Sequence, residues 1–320
     1  SLLLHLLKDI KMTKTGDAVI PKKAMTIILL RDQYPAGFEV FLLKRHNQSI
    51  FMGGNYVYPG GKVDEEDATE EILARSQGIS SRQAQEILGE NDAKIAIAYW
   101  IAGIRELFEE AGILLAYNKE KRLLSIDSED AKQRLAFHRL SLQKGEKSFL
   151  QIIIEEDLTL AIDQCFYYAH WITPEARNVR FDTRFFVART ISGQEASPDA
   201  KETTEGVWLT PSAALQKNFE GTVALSPPTL KTLEDLSRFS SIHDLLSSLP
   251  ERKKPAILPI LLNPLADETL IFPWDPEYED LRSGTLQQSK DHGLPSSPLQ
   301  NTTRVVLTDG RWLPYVKTVL

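Results

Sequence analysis

The sequence predicts an α/β protein, and three features carry that prediction. MTIILLRD (25–32) and FEVFLLKR (38–45) are β-rich runs separated by Gln-Tyr-Pro-Ala-Gly, a turn signal, and read as a hairpin. DAKIAIAYWIAGIRELFEEAG (92–112) reads as one long helix: Asp92 can cap its first turn, and Gly112 supplies the left-handed stop. Val-Trp-Leu-Thr-Pro (207–211) reads as a strand running into a second helix. Between hairpin and helix, GGNYVYPGGKVDEED is glycine-rich and then acidic, hence a loop around a short strand. Residues 68–91 read as one or two short polar helices, with Ser80 and Ser81 as N-cap candidates.

Composition bounds the function. Of 320 residues, 42% are hydrophobic and 25% charged, as in a globular protein with an ordinary core. The single cysteine, Cys165, excludes an internal disulfide framework and a thiolate metal cluster; within CFYYAHW it reads as a buried small hydrophobe. A net charge of −7 argues against a nucleic-acid surface, which needs a concentrated basic face, so no DNA partner is expected. No apolar run approaches the roughly 18 residues of a membrane span, and the opening SLLLHLLKDIK is too short for a secretory signal.

The chemistry concentrates in RELFEEAGI (105–113). At about 100° per residue, Glu109 falls near −60° and Glu110 near +40° from Glu106, so three carboxylates share one helical face. Ile97, Ile101, Ile104, Phe108 and Ala111 fall on the opposite side, which makes the helix amphipathic. No Lys or Arg follows the paired acids four residues on, and acids near a helix C-terminus oppose the macrodipole by about 0.3–1 kcal/mol each. A local choice that works against stability points to function. Clustered carboxylates beside a glycine-rich loop suit a hard divalent cation such as Mg²⁺ that retains waters for a phosphate substrate.

This stretch resembles the second half of the Nudix box, G-x5-E-x7-R-E-U-x-E-E-x-G-U, where U is a bulky aliphatic residue. Gly61 followed by KVDEE supplies the first half, with Asp67 in place of its glutamate, and residues 68–104 intervene where the pattern has seven. An insertion inside the box and an Asp in its first half are features of the coenzyme A diphosphatase-like branch of the Nudix hydrolases. Phe51-Met52-Gly53-Gly54-Asn55-Tyr56-Val57-Tyr58-Pro59-Gly60-Gly61, Phe181-Asp182-Thr183-Arg184-Phe185-Phe186, Pro227-Pro228-Thr229-Leu230 and Pro273-Trp274-Asp275-Pro276-Glu277-Tyr278 resemble further segments of that branch. The likeness spans roughly residues 20–280. A coenzyme A signature known from another Nudix branch is kept only in part. Its first arginine falls at His46 unless Arg45 substitutes, and its second falls at Ile50.

The resemblance implies a Nudix α/β/α sandwich with a mixed central sheet over residues 17–248, a helical insertion in the box, and a C-terminal extension over 249–320 packed on the domain. It implies Mg²⁺-dependent hydrolysis of a pyrophosphate linkage, with Mn²⁺ as an alternative cation and a small-molecule diphosphate as substrate. Coenzyme A or acyl-coenzyme A is the first candidate. A dinucleotide, a nucleotide sugar or a capped RNA end is the second, and a non-enzymatic binding module of the same fold the third. A homodimer and a cytoplasmic location, or an organelle in a eukaryote, are compatible with it.

Residue roles follow from the same likeness. Glu106, Glu109 and Glu110 are the implied metal ligands, with the Gly61 carbonyl and Asp67 as further ones; Asp67 alternatively orients Arg105. Arg105 orients a carboxylate, lying one turn from Glu109. Glu202 and Glu205 are candidates for the general base. Lys44, Arg45, Arg184, Gly60 and Gly61 are candidates for the substrate's phosphates, although Arg184 can simply pair with Asp182. His170 reads as a strand residue rather than a ligand. Residues 1–16 read as loosely tied, and the polar stretch 283–303 as a flexible loop.

Overall fold

A computed structural model describes residues 19–47, 53–199, 201–263, 268–289, 292–295 and 301–318. The expectations for residues 1–16 and for Ile50, Phe51 and Met52 lie outside these residues, as do parts of 283–303.

The expected hairpin is β1 (Lys22–Asp32) and β2 (Phe38–Arg45), paired antiparallel from Leu30↔Val40 to Asp32↔Phe38. The remainder of that edge of β1 takes another partner: Ala24–Thr26 pair with β4 (Gly60–Lys62), while β3 (Tyr56–Val57) pairs with β2. The other edge of β1 runs parallel to β6 (Phe181–Arg189), which pairs antiparallel with β5 (Cys165–Ile172). With β7 (Thr203–Leu209) outside β2 and β8 (Ala256–Ile257) parallel to β5, the sheet is eight-stranded, mixed, and ordered β7-β2-β1-β6-β5-β8.

Successive strand residues face opposite sides. Met25, Ile27 and Leu29 of β1 join a core with the long helix α2 (Ala93–Ala111); Ile28 and Leu30 join a second core on the other face. The first core is completed by α1 (Ser81–Leu88), α3 (Glu129–Gln143) and α4 (Phe149–Glu155). The second is completed by α5 (Pro211–Glu220), α6 (Pro227–Leu236) and α7 (Ile242–Ser248). Helices on both faces of a mixed sheet give the α/β/α arrangement.

Caps set the helix bounds. The Asp92 side chain accepts from the Lys94 and Ile95 amides, and Gly112 ends α2 at φ 74°. Ser80 opens α1 in a reciprocal capping box with Gln83. The amphipathic reading of α2 needs correction, however. Every residue from Ala96 to Ile104 is buried, on all sides of the helix. Gly103 lies where a side chain would crowd Ile27 of β1, so the helix sits close on the sheet, and the box insertion covers its other flank.

The C-terminal region forms a second sheet. Its five strands are β9 (Ile260–Leu262), β10 (Thr269–Ile271), β11 (Leu294–Pro295), β12 (Arg304–Thr308) and β13 (Arg311–Val316), in the order β9-β10-β12-β13-β11. Leu261, Leu270, Phe272, Val305 and Trp312 enter the second core. Arg304, wholly buried, makes a two-pronged pair with Asp275 (2.8 Å from Nε, 2.5 Å from Nη2). Glu234 of α6 accepts from the Thr302 amide at 3.0 Å. Since β8 belongs to the central sheet, the region after residue 248 is not separate from the domain before it. Among the described residues no helix is long and apolar enough to cross a membrane.

Candidate active site

Pairing with β1 places β4 beneath the C-terminal half of α2. A Cβ at Gly60 would overlap the Met25 carbonyl oxygen, and one at Gly61 would overlap the Glu106 carboxylate. Two glycines therefore allow a strand to lie flush on β1 while the half-buried Glu106 carboxylate closes over it. The Gly60 amide donates to Glu110 Oε2 at 2.8 Å. Two of the three expected carboxylates thus meet the Gly60–Gly61 backbone directly, and Glu109 lines the same cleft.

Arg105 links the two halves of the motif. Its Nε and Nη2 donate to the two oxygens of Asp67 at 2.8 Å each, Nη1 donates to Glu106 Oε1 at 2.8 Å, and Nη2 also reaches the Lys62 carbonyl at 3.0 Å. Asp67 is 2% exposed and also accepts from the Asp64 amide at 2.9 Å. Both of its oxygens are thereby occupied, so it enters the site through Arg105. Burial alone would lower the Arg105 pKa, but the bonds and charge of Asp67 and Glu106 more than offset this and raise it.

The acidic cluster is electrostatically loaded. Burial pushes the Glu106 carboxyl up to about 7, with Arg105 opposing and Glu109 reinforcing the shift. Burial raises Glu109 too, with Arg105 opposing and Glu202 adding to it. Glu110 is driven well above the carboxylate range by burial and then by Glu106. Arg45 approaches Glu202 only to 3.8 Å, and Arg105 is shared with Asp67. Asp64, Glu106, Glu109, Glu110, Asp199 and Glu202 line this part of the cleft against Arg45, Lys62, Lys201 and the neighbouring Arg105, so the acids exceed the cations that face them. Hard oxygen donors with unneutralised charge fit a divalent cation such as Mg²⁺ or Mn²⁺. Among the described residues, no three acidic, histidine or cysteine side chains already converge as a ligand cluster. Glu106 is turned to Arg105, and Glu110 to the Gly60 amide.

Strand alternation sorts the remaining candidates. Arg45 and Glu202 line the cleft, as do Gly60 and Gly61. Lys44 and Glu205 do not; they are ladder partners on the opposite side of the hairpin, where Lys44 lies over the Tyr56 ring and Tyr56 donates to Glu205 at 2.9 Å. A bulge between Thr203 and Glu205 accompanies this change of side. Of the two readings of Arg184, the structure has the pairing: it is 5% exposed, donates to Asp182 at 2.7 Å and lies over the Tyr99 ring, and it does not line the cleft. His170 is the strand histidine expected, 2.6 Å from Asp182. Cys165 is buried, which pushes its thiol pKa up.

Sequence reasoning did not single out Lys62, Asp64, Asp199 and Lys201, which line the cleft, or Arg139 behind it. Arg139 donates to the carbonyls of Glu109 (2.9 Å) and Glu110 (2.7 Å) and to the Ser197 carbonyl (2.9 Å); Gln143 adds a bond to Glu109 at 2.8 Å. A cation thus satisfies the orphan carbonyls of the helix end that bears the acids. Lys62 and Asp64 could have been found from the acidic run after Gly61; nothing local marks Arg139.

The chain is 29% identical over 242 residues to the acyl-coenzyme A diphosphatase NUDT19 of Xenopus laevis, covering 65% of the chain and 62% of that relative. To the Homo sapiens protein of the same name it is 27% identical over 239 residues, covering 65% and 63%. The chain therefore spans less than two thirds of the length of these two relatives. Against the Gallus gallus protein the match is 27% over 297 residues, or 80% of the chain and 78% of the relative. The crystal structure of a NUDIX hydrolase from Alicyclobacillus acidocaldarius superposes with a TM-score of 0.58 at 23% identity, covering 74% of this chain and 98% of that one, a likeness of fold. The model of the NUDT19 Nudix domain matches residues 19–238, a stretch that contains both half-boxes, the insertion between them and the Asp67–Arg105 pair that joins them, and the chain belongs to that family.

Proposed function

We propose that the protein is a divalent-cation-dependent hydrolase of a diphosphate linkage, acting on coenzyme A or its acyl thioesters. The observation that carries this reading is the convergence of Glu106 and Glu110 on the Gly60–Gly61 backbone, with Glu109 on the same cleft. The names of the relatives supply the substrate class. In the reaction, a water oxygen bonds to one phosphorus as the bridging P–O bond breaks. One water proton passes to a carboxylate, and two phosphate monoesters leave: phosphopantetheine, acylated or not, and adenosine 3′,5′-bisphosphate.

Glu106, Glu109 and Glu110, with the Gly61 carbonyl, would hold Mg²⁺ or Mn²⁺, which when bound supplies charge neutralisation and a lowered pKa for water. Asp67 fixes the Arg105 guanidinium, and Arg105 fixes Glu106; we assign Asp67 this positioning role rather than a place on the metal. Arg45, Lys62 and Lys201 offer positive charge along the cleft for the substrate's phosphates. Glu202, which lines the cleft, is the better placed of the two candidate bases.

The test is incubation with coenzyme A, acyl-coenzyme A, a dinucleotide, a nucleotide sugar and capped RNA, with Mg²⁺, with Mn²⁺ and with a chelator, in ¹⁸O-labelled water. The expected result is phosphopantetheine and adenosine 3′,5′-bisphosphate, with label in one product and no turnover under chelation. Turnover of a different diphosphate alone would overturn the coenzyme A assignment; turnover of none would overturn the enzyme.

A further inference from the structure

The carboxylates occupy one end of a much longer cleft. Its volume is about 1110 Å³, against roughly 300–1,000 Å³ for ordinary small-molecule sites. Its floor crosses the sheet from β4 through β1 and β6 to β5, along Lys62, Ala24, Thr183 and Trp171, which are matched in register. Three strand spacings make this floor roughly 14 Å long. A diphosphate fills only part of that length.

The two ends differ in chemistry. Beyond β6 the walls are mainly apolar, with Trp171 and Phe185 of the sheet, Val179 of the segment between β5 and β6, Pro228 at the start of α6, and Leu307 and Trp312 of the C-terminal sheet; the neutral polar side chains of Thr173, Asn178, Ser226 and Thr229 are interspersed among them. Arg177 and Glu268 also stand there, but they neutralise each other in a two-pronged pair of 2.9 Å and 2.5 Å. That pair ties the β5–β6 segment to the C-terminal sheet. A polar ligand group buried among these walls would lose its hydration without full return, whereas methylenes gain by leaving water.

We infer that this end holds the acyl chain of a thioester whose diphosphate lies at the carboxylates, and that the C-terminal sheet sets the preferred chain length. The inference rests on the proposed diphosphatase reading and adds to it a binding chamber and the residues that form it. Continuity of one cleft from Glu106 to Trp312 is what assigns both parts to a single ligand.

The test compares unacylated, hexanoyl and dodecanoyl coenzyme A on the full chain and on two variants, Leu307→Asp and Val179→Asp. Leu307 is half-buried, and Val179 is 45% exposed, so the second variant keeps the test sound should the first fold poorly. Each methylene buried is worth roughly fourfold in affinity. The dodecanoyl substrate should therefore exceed the unacylated one in kcat/KM by about tenfold or more, mainly through KM, and each folded variant should compress that ratio about tenfold. A ratio near one in the parent protein, or an equal ratio in parent and variants, overturns the chamber. Absence of all hydrolysis overturns the diphosphatase reading instead. Calorimetric titration with dodecanoyl and unacylated coenzyme A then decides the chamber by the same ratio, read in Kd.

Discussion

At the scale of the residue, the site is a set of carboxylates held where carboxylates are disfavoured. Among the described residues the Glu109 carboxylate has no hydrogen-bond partner; it lines the cleft, and burial raises its pKa, with Arg105 opposing and Glu202 reinforcing the shift, so its charge works against the folded protein. Glu109→Gln removes that charge with almost no change of shape. We expect kcat/KM to fall about 100-fold or more, since each 1.36 kcal/mol of lost charge stabilisation is tenfold in rate. The thermal midpoint of the metal-free protein should stay the same or rise, because an acid near a helix C-terminus opposes the dipole. Measuring both on parent and variant separates the roles: unchanged turnover removes Glu109 from the chemistry, and a large loss of metal-free stability makes it structural. At this scale the three carboxylates of α2 were legible, because helical spacing is local, whereas Asp64 and Asp199 were not. Lys44 and Glu205 lie away from the cleft, and Arg184 takes its Asp182 alternative, because the side on which a strand residue emerges depends on pairing partners and on one bulge that no short window of sequence reveals.

At the scale of the element, the end of α2 is the critical piece. Its last carbonyls are held by Arg139 and Gln143 of α3, and Arg139 also grips Ser197 on the loop leading to Asp199 and Glu202. Arg139 is a positioning residue in this arrangement. Arg139→Ala should cost about 2 kcal/mol for charged hydrogen bonds lost at a helix end, or about 4–8 °C in Tm. It should also raise the Mg²⁺ concentration needed for half-maximal turnover, while Arg139→Lys, which keeps the charge but not the fork, should recover only part of the metal response. A Tm shift with an unmoved Mg²⁺ requirement would reduce Arg139 to a structural cap. The bounds of α2 were readable from Asp92 and Gly112. Its burial on every side was not, since the insertion, α3 and α4 that enclose it arrive from other parts of the chain.

At the scale of the whole molecule, the layered sandwich follows from alternation along β1, whose odd and even residues feed two cores. That much is written in the apolar runs. The five-stranded C-terminal sheet is not: three of its strands have only two or three residues, so no local period announces them. The long cleft exists only because that sheet lies over the central one, and its apolar end was invisible for the same reason.

The Asp67–Arg105 pair has one more consequence. The motif is continuous in space and broken in the chain, so the covalent path between its halves carries no part of the chemistry. Its role is to keep two fragments in company, and noncovalent packing of α1 on α2 with the Glu70–Lys94 pair of 2.9 Å does so as well. A peptide ending at Glu90 and another beginning at Asn91, an exposed junction just before the Asp92 cap, should therefore find each other and rebuild the active centre. Co-expressing the halves and assaying the purified pair for diphosphate hydrolysis tests this. Recovery within about tenfold of the uncut chain would make the insertion a tether, while halves that associate without turnover would make it part of the machine.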